Sequence, residues 1–420
     1  MARTPRVLSG MRPTGPLHLG HYFGALANWL KLQQSYECFY FVADWHALTT
    51  HYTDDARRIR DNTTEIVLDW LAVGLDPERS TLFVQSAVPE HAELHLLLSM
   101  ITPLEWLERV PTYREQIAQL RDRDLGTYGF LGYPLLQTAD IVIYDADFVP
   151  VGEDQLPHIE LAREIVRRFN HLFGLEVDRG LLAATPEAEM ARTRLARLLE
   201  GRLPAEPFDE NFLLRLQASI REEGIENFLL RTRGLGRWIR YRPVLREPQA
   251  LLTETPRFPG TDGRRMAKSY GNAIWLKDDP ETVRQKVAGM LTDPQRVRRS
   301  DPGRPEICPV FAYHQAFSPP EVVRWSEQGC RTAGIGCVEC KKAMAEHLVR
   351  WLEPIQSRRQ QYARQPETVQ EILRRGSVRA RRVARRTMAR VRRAIFGAPT
   401  GARAVAAPAV SQGRVGSEGA

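Results

Sequence analysis

No stretch of this 420-residue chain is apolar for long enough to cross a bilayer. Its first ten residues, MARTPRVLSG, lack the apolar core of a secretory signal. These absences turn expectation away from membrane-embedded and exported classes and toward a cytoplasmic protein. Cysteine is scarce. There are five, and four of them fall between positions 308 and 340. Cys38, alone in the apolar run Cys38–Ala43, reads as part of a buried strand. There are no internal repeats. Residues 171–247 carry no chemical motif, only a charged helical pattern broken at Gly201, Pro204, Gly224, Gly234 and Gly236.

What is present is basic. The formal net charge is +8 and the sequence pI is about 9.4, a balance that suits a polyanionic partner such as nucleic acid. The excess is local: residues 374–393 hold ten arginines. Such a run is either a solvated helix face or a contact to RNA backbone.

Residues 6–170 alternate between strand and helix. Val7–Ser9, Cys38–Ala43 and Thr81–Gln85 read as strands, and Ile141–Tyr144 and Phe148–Val151 as two more flanking a polar turn. Asp55–Val73 has helical spacing. This alternation predicts a parallel α/β sheet with helices on both faces. From about residue 278 the chain turns helical, with amphipathic stretches at 278–291, 319–330, 341–364 and 366–396. Residues 397–420, rich in Ala, Gly, Ser and Val, read as a disordered tail.

Two separated segments carry the chemistry. The first strand runs into a Gly/Pro loop and then His18-Leu19-Gly20-His21, which opens a helix. A strand–loop–helix with small residues lets a nucleotide lie against backbone N–H groups. Some 250 residues later comes the basic loop Arg-Arg-Met-Ala-Lys-Ser, with Arg265, Met266, Lys268 and Ser269. Either alone could be an ordinary turn; in this order they point to phosphate chemistry. Between them, Tyr133, Gln137 and Asp140 fall at spacings of four and three, on one helical face. Asp44-Trp45-His46 and Gly152-Glu153-Asp154-Gln155 place polar clusters at the ends of strands, where open α/β sheets bind ligands.

These segments resemble the HIGH and KMSKS signatures of class I aminoacyl-tRNA synthetases. RPTGPLHLGHYFGAL, ADWHALTT, YPLLQTADIVIY, VPVGEDQLPHIELAREIVRRFN and PRFPGTDGRRMAKSYGN look like the bacterial type of tryptophanyl-tRNA synthetase. The resemblance covers 6–170 and 247–396 and fails over about 172–245. Tyrosyl-tRNA synthetases share the Tyr-x-x-x-Gln-x-x-Asp helix; the flanks separate the two, since the tyrosine enzymes tend to a GFDPT-type loop and an SDQ-type segment.

The resemblance implies a Rossmann-like catalytic domain in two parts, 1–171 and 247–277. An atypical helical insertion would occupy 172–246, and an all-α anticodon-binding domain 278–396. It implies two-step aminoacylation of tRNA(Trp) from L-tryptophan and ATP with Mg²⁺, by a homodimer. His18 and His21 would bond the triphosphate, Gly20 would allow close backbone approach, and Arg12, Pro13, Thr14 and Gly152 would lie near the nucleotide. Lys268 would hold the pyrophosphate, with Arg265, Met266 and Ser269 beside it. Asp140 would accept the indole N–H. Tyr133 and Gln155 would bind the amino group, and His46, Gln137 and Asp154 would line the pocket. Leu8, Val149 and Val151 would form apolar walls. The loop departs from the family pattern: Arg265 and Ala267 stand where lysine and serine are usual.

Cys308, Cys330, Cys337 and Cys340 give C-x21-C-x6-C-x2-C. The last spacing is a chelate, and four thiols within 33 residues favour metal over disulfides. Thiolates suit both Zn²⁺ and a [4Fe–4S] cluster; the spacing resembles that of the cluster-bearing subset of the family. Two alternatives remain at this point: a tyrosine-specific enzyme, or a non-catalytic RNA-binding paralogue.

Overall fold

The computed structural model describes residues 3–49, 58–111, 113, 126–199, 202–203, 207–232, 235–252 and 258–397. The start of the helix read from Asp55 and the tail beyond residue 397 lie outside them. Five parallel strands form the central sheet: β1 (Arg6–Met11), β2 (Glu37–Val42), β3 (Ser80–Val84), β4 (Phe148–Val151) and β7 (Gln249–Leu252). Their order is β3-β2-β1-β4-β7. β1 is in full register with β2, from Arg6 opposite Glu37 to Met11 opposite Val42, but meets β4 only at Val7–Phe148. The chain therefore winds outward in both directions from β1. The crevice at the carboxyl ends of β1 and β4 is the sheet's switch point.

Strand residues alternate between two apolar layers, as the two-residue period requires. Val7, Cys38, Tyr40, Val42 and Leu82 face one layer with Trp29 and the helix Ile59–Val73. Leu8, Phe39, Phe41 and Phe83 face the other, under the helices Glu90–Ser99, Tyr133–Val142 and Leu156–Phe173. Cys38 is core, as read. Ile141–Tyr144 is not a strand. The helix that begins at Tyr133 carries on to Val142, because Ala139, Ile141 and Val142 are all buried and nothing offers them a strand partner. Asp140 is thus a helix residue.

Residues 175–241 form a third apolar cluster of their own, closed by the antiparallel pair β5 (Leu175–Val177) and β6 (Ile239–Tyr241). The chain then returns through β7 to the main sheet. Beyond it come the helices Pro280–Ala288, Pro309–Phe317, Pro320–Arg331, Cys337–Ala363 and Pro366–Phe396; Pro309–Phe317 was not read from the sequence.

The last two helices share the sheet's own cores. Met344, Leu348 and Leu352 enter the first layer; Ala380, Ala384, Met388 and Val391 enter the second. The Pro366–Phe396 helix lies against the edge strand β3. Its arginines reach back to the sheet domain: Arg381 and Arg385 to Glu90, Arg375 to Glu78, Arg390 to Asp145, Arg392 to Glu93, and Arg379 to the carbonyls of Pro77 and Ser80. Arg374 pairs with Glu371 within the helix. Arg382, Arg386 and Arg393 are exposed and have no partner among the described residues. Their spacings of four and seven put them on one outward stripe.

Gly376 makes this helix–edge packing possible, since a Cβ there would overlap the carbonyl oxygen of Leu82. Gly376→Val is expected to lower stability by roughly 3 kcal/mol through overpacking against backbone. Urea unfolding checks this; an unchanged midpoint would mean that the helix does not pack so closely.

Candidate active site

The switch point opens a cavity of about 390 Å³. Eight of the nine side chains assigned to an amino-acid pocket line it: Leu8 from β1, His46 beyond β2, Tyr133, Gln137 and Asp140 along one helix face, Val149 and Val151 from β4, and Gln155 beyond it. Arg12 and Gly152 line it too. Asp154 does not. It is exposed on the one-turn helix Glu153–Gln155. Ser9, Phe41, Thr49 and His158 also line the cavity and were missed by the sequence reading.

Asp140 stands at the cavity wall, 1% exposed. Its Oδ2 is 2.9 Å from His46 Nε2, its Oδ1 is 2.6 Å from His91 Nδ1, and Gln85 Nε2 donates to both oxygens at 2.8 and 2.9 Å. Burial alone would raise its pKa. The charge of His91 and hydrogen bonds from His46 and His91 outweigh it and hold the carboxyl down at about 2. The pocket therefore presents a buried carboxylate, an acceptor with no proton of its own to give.

The phosphate-type motifs meet on the loop that runs on from Arg12 of the cavity wall. Gly15 takes φ 110°, the left-handed region that favours glycine, and its carbonyl accepts from Lys268 Nζ at 3.0 Å. Lys268 also donates to Thr14 Oγ1 at 3.2 Å. Pro13 is buried under this turn. The 250-residue separation is closed by main-chain bonds: Leu19 N–H donates to the Ile274 carbonyl and Leu276 N–H to that of Leu17, both at 3.0 Å. These bonds straddle His18, which bridges Trp275. The Gly20 N–H points at Met266 Sδ, 3.4 Å away.

Asn272 shapes the basic loop, accepting from the Ala267 N–H at 2.9 Å and donating to the Arg265 carbonyl at 3.1 Å. Arg265 and Ser269 are exposed. Leu17 N–H donates to Asp69 Oδ2 at 2.7 Å, and Arg359, from the Cys337–Ala363 helix, donates to Asp69 Oδ1 at 2.7 Å.

Nδ1 of His18 is buried with no hydrogen-bond partner among the described residues. Such an orphan next to cationic groups is what an anionic ligand would complete. Burial first, then the charges of Lys268 and Arg265, lower His18 to about 4. His21, whose Nδ1 accepts the His18 N–H at 3.2 Å, falls to about 2, chiefly through burial. Both rings are neutral at neutral pH and can donate one N–H each. Burial also lowers Lys268, to about 8, which leaves it mostly charged at pH 7.

The four late cysteines come from three places: Cys308 before the helix Pro309–Phe317, Cys330 near the end of Pro320–Arg331, and Cys337 and Cys340 in the first turn of Cys337–Ala363. The Cys340 thiol is raised to about 12, by burial first and then by Cys308, Cys330 and Cys337. Arg296 Nη1 lies 3.9 Å from Cys330 Sγ. Among the described residues no group of three or more His, Cys, Asp or Glu side chains is drawn together tightly enough to hold a metal ion.

The family described as "tRNA synthetases class I (W and Y)" matches residues 1–201 and 226–353. A tryptophan–tRNA ligase of Ralstonia nicotianae is 50% identical over 392 residues, covering 93% of this chain and 98% of that protein. One from Thermotoga maritima is 46% identical over the same shares. The crystal structure of tryptophanyl-tRNA synthetase from Campylobacter jejuni, complexed with ADP and tryptophan, superposes with a TM-score of 0.70 at 25% identity, covering 92% of this chain and 98% of that one. This chain belongs to the class I tRNA synthetases, among the tryptophan–tRNA ligases of bacterial type.

Proposed function

We propose that this chain activates L-tryptophan with ATP and transfers the tryptophanyl group to tRNA(Trp), releasing AMP and diphosphate. The observation that carries the reading is the buried, ionised Asp140 in a cavity that Arg12 also lines, with Lys268 bonded to Thr14 and Gly15 on the loop that leads from Arg12 to the neutral His18–His21 pair. In the first step the tryptophan carboxylate attacks the α-phosphorus of ATP and pyrophosphate leaves. In the second, a ribose hydroxyl of the tRNA 3′ end attacks the mixed anhydride. The protein's work is orientation and charge stabilisation.

Each side chain has a task in this scheme. Asp140 accepts the indole N–H; a side chain lacking that donor leaves a buried carboxylate short of a partner, a strong discrimination. Tyr133 and Gln155 bind the amino group, with Gln137 and His46 beside them and Leu8, Val149 and Val151 against the ring. His18 and His21 donate to the phosphates, and Arg12 lies at the same mouth. Lys268 and Arg265 balance the leaving pyrophosphate. Mg²⁺ would arrive on substrate oxygens, in keeping with an ion that keeps most of its water. The catalytic parts are 1–171 and 247–277, the insertion is 172–246, and 278–396 reads the anticodon. Of the 374–393 run, Arg382, Arg386 and Arg393 are left without a partner among the described residues and are the ones proposed to meet RNA backbone. Exposed Leu96, Met100, Leu104 and Tyr128 support a homodimer, with the chain working in the cytoplasm.

The four cysteines are read as ligands of a [4Fe–4S] cluster on the C-x21-C-x6-C-x2-C spacing, with Zn²⁺ as the alternative; among the described residues their side chains are not drawn together as a metal site, and Arg296 Nη1 lies beside the Cys330 sulfur. The cluster would have a structural role or help form the anticodon-reading surface.

Tryptophan-dependent ATP–pyrophosphate exchange, with tyrosine as control, tests the reading. Exchange with tryptophan alone is expected; exchange with tyrosine, or with neither, would overturn it. Lys268 must be charged to hold pyrophosphate, so kcat/KM for ATP should fall as pH rises through about 8. The loss should move to higher pH in Lys268→Arg; a wild-type profile that stays flat well above that point would contradict the role. Anaerobically prepared protein should carry iron and sulfide with visible absorbance, and Cys337→Ser should lose them. Full iron in the variant would remove Cys337 from the ligand set.

A further inference from the structure

Behind Asp140 stands a set of buried side chains to which no role has been assigned. Gln85 and His91 are 0% exposed, as is Tyr144, and none of the three lines the amino-acid cavity. His91 is clamped from both sides: its Nδ1 is 2.6 Å from Asp140 Oδ1 and its Nε2 is 2.6 Å from the Tyr144 hydroxyl. The rings of Phe41 and Phe83 lie 6.1 and 6.3 Å away, closing its flanks. Gln85 is fixed by its other end. Its Oε1 accepts the Trp45 N–H at 3.2 Å, so its amide nitrogen must face the carboxylate.

A carboxylate offers about four acceptor positions. In Asp140 these are filled by His91, by His46 and by Gln85 on both oxygens. An indole N–H can be accepted only if one donor gives way. His91 and Gln85 are enclosed by packed side chains and have nowhere to go. His46 lines the cavity and has open space beside it.

We propose that His91, braced by Tyr144, is a positioning residue that with Gln85 holds Asp140 in place for the indole N–H, and that His46 is the partner the substrate displaces. The proposal rests on the reading of Asp140 as the indole acceptor. It divides the ring of donors into a fixed half and an exchangeable half. Tryptophan binding then swaps one hydrogen bond to a carboxylate that does not move. Preorganisation of this kind lowers the cost of recognition. A loosened Asp140 would turn toward the cavity or away from it, and the substrate would have to restore its orientation.

The test compares tryptophan with benzothienylalanine, in which sulfur replaces the indole N–H and no donor remains. Amino-acid-dependent ATP–pyrophosphate exchange is measured on the full chain, wild type and variants. Wild type should prefer tryptophan. His91→Leu should raise KM for tryptophan about tenfold while KM for the sulfur analogue moves less than about twofold and kcat holds for both. His91→Gln, whose amide can still donate to Asp140, should recover most of the preference.

If His91→Leu does not fold, Tyr144→Phe removes only the brace and should shift KM the same way by a smaller factor. An equal rise in KM for both substrates would show a general structural role and overturn the proposal, as would unchanged preference in a folded variant. A wild type that uses both substrates equally would overturn the assignment of Asp140 itself, and the positioning role with it.

Discussion

The reversal of winding at β1 is the constraint on which the rest depends. β1 pairs fully with β2 on one side and at a single register position with β4 on the other. The sheet's carboxyl edge is left open there, and the groups proposed for the chemistry are brought to it or to the loop that leaves it. Leu8 and Val149 come from the strands that border it, Asp140 from a helix on one face, and His18 from the loop that leaves β1. Lys268 arrives from far down the chain because main-chain bonds tie residues 17 and 19 to 276 and 274. One topological gap thus gathers the residues proposed for the amino acid and, on the loop beyond Arg12, those proposed for the phosphates.

The helical carboxyl-terminal part takes part in holding this edge. Arg359 binds the buried Asp69, whose other oxygen holds the Leu17 N–H just before His18. Arg381 and Arg385 bind Glu90, the neighbour of His91. A buried carboxylate that loses its cation is costly, so both positions depend on helices that also reach away from the active site.

Much of this was legible in the sequence, and the misses have physical reasons. β1, β2, β3 and β4 announced themselves by short apolar runs ending in polar residues. Tyr133, Gln137 and Asp140 were legible from one helix face and His46 and Gln155 from strand ends; Leu8, Val149 and Val151 came only with the family resemblance. Ile141–Tyr144 misled because a run of buried β-branched residues looks the same on a strand and on an all-round buried helix. Asp69, Gln85 and His91 were missed because each works through a partner about fifty residues away, and spacing shows nothing at that range. Gln85, a polar residue closing an apolar strand, was the one available signal. The arginine run showed its charge but not its partners: five of its ten arginines pair with acidic residues of the sheet domain, and only Arg382, Arg386 and Arg393 of the run are left without any partner among the described residues.

The most direct test of the account is a crystal structure with a non-hydrolysable tryptophanyl-adenylate analogue. The account predicts the indole nitrogen within hydrogen-bond distance of Asp140, His46 turned aside, and the phosphate-like group between His18 and Lys268. An indole ring seated away from Asp140, or an anionic group remote from His18, would contradict it.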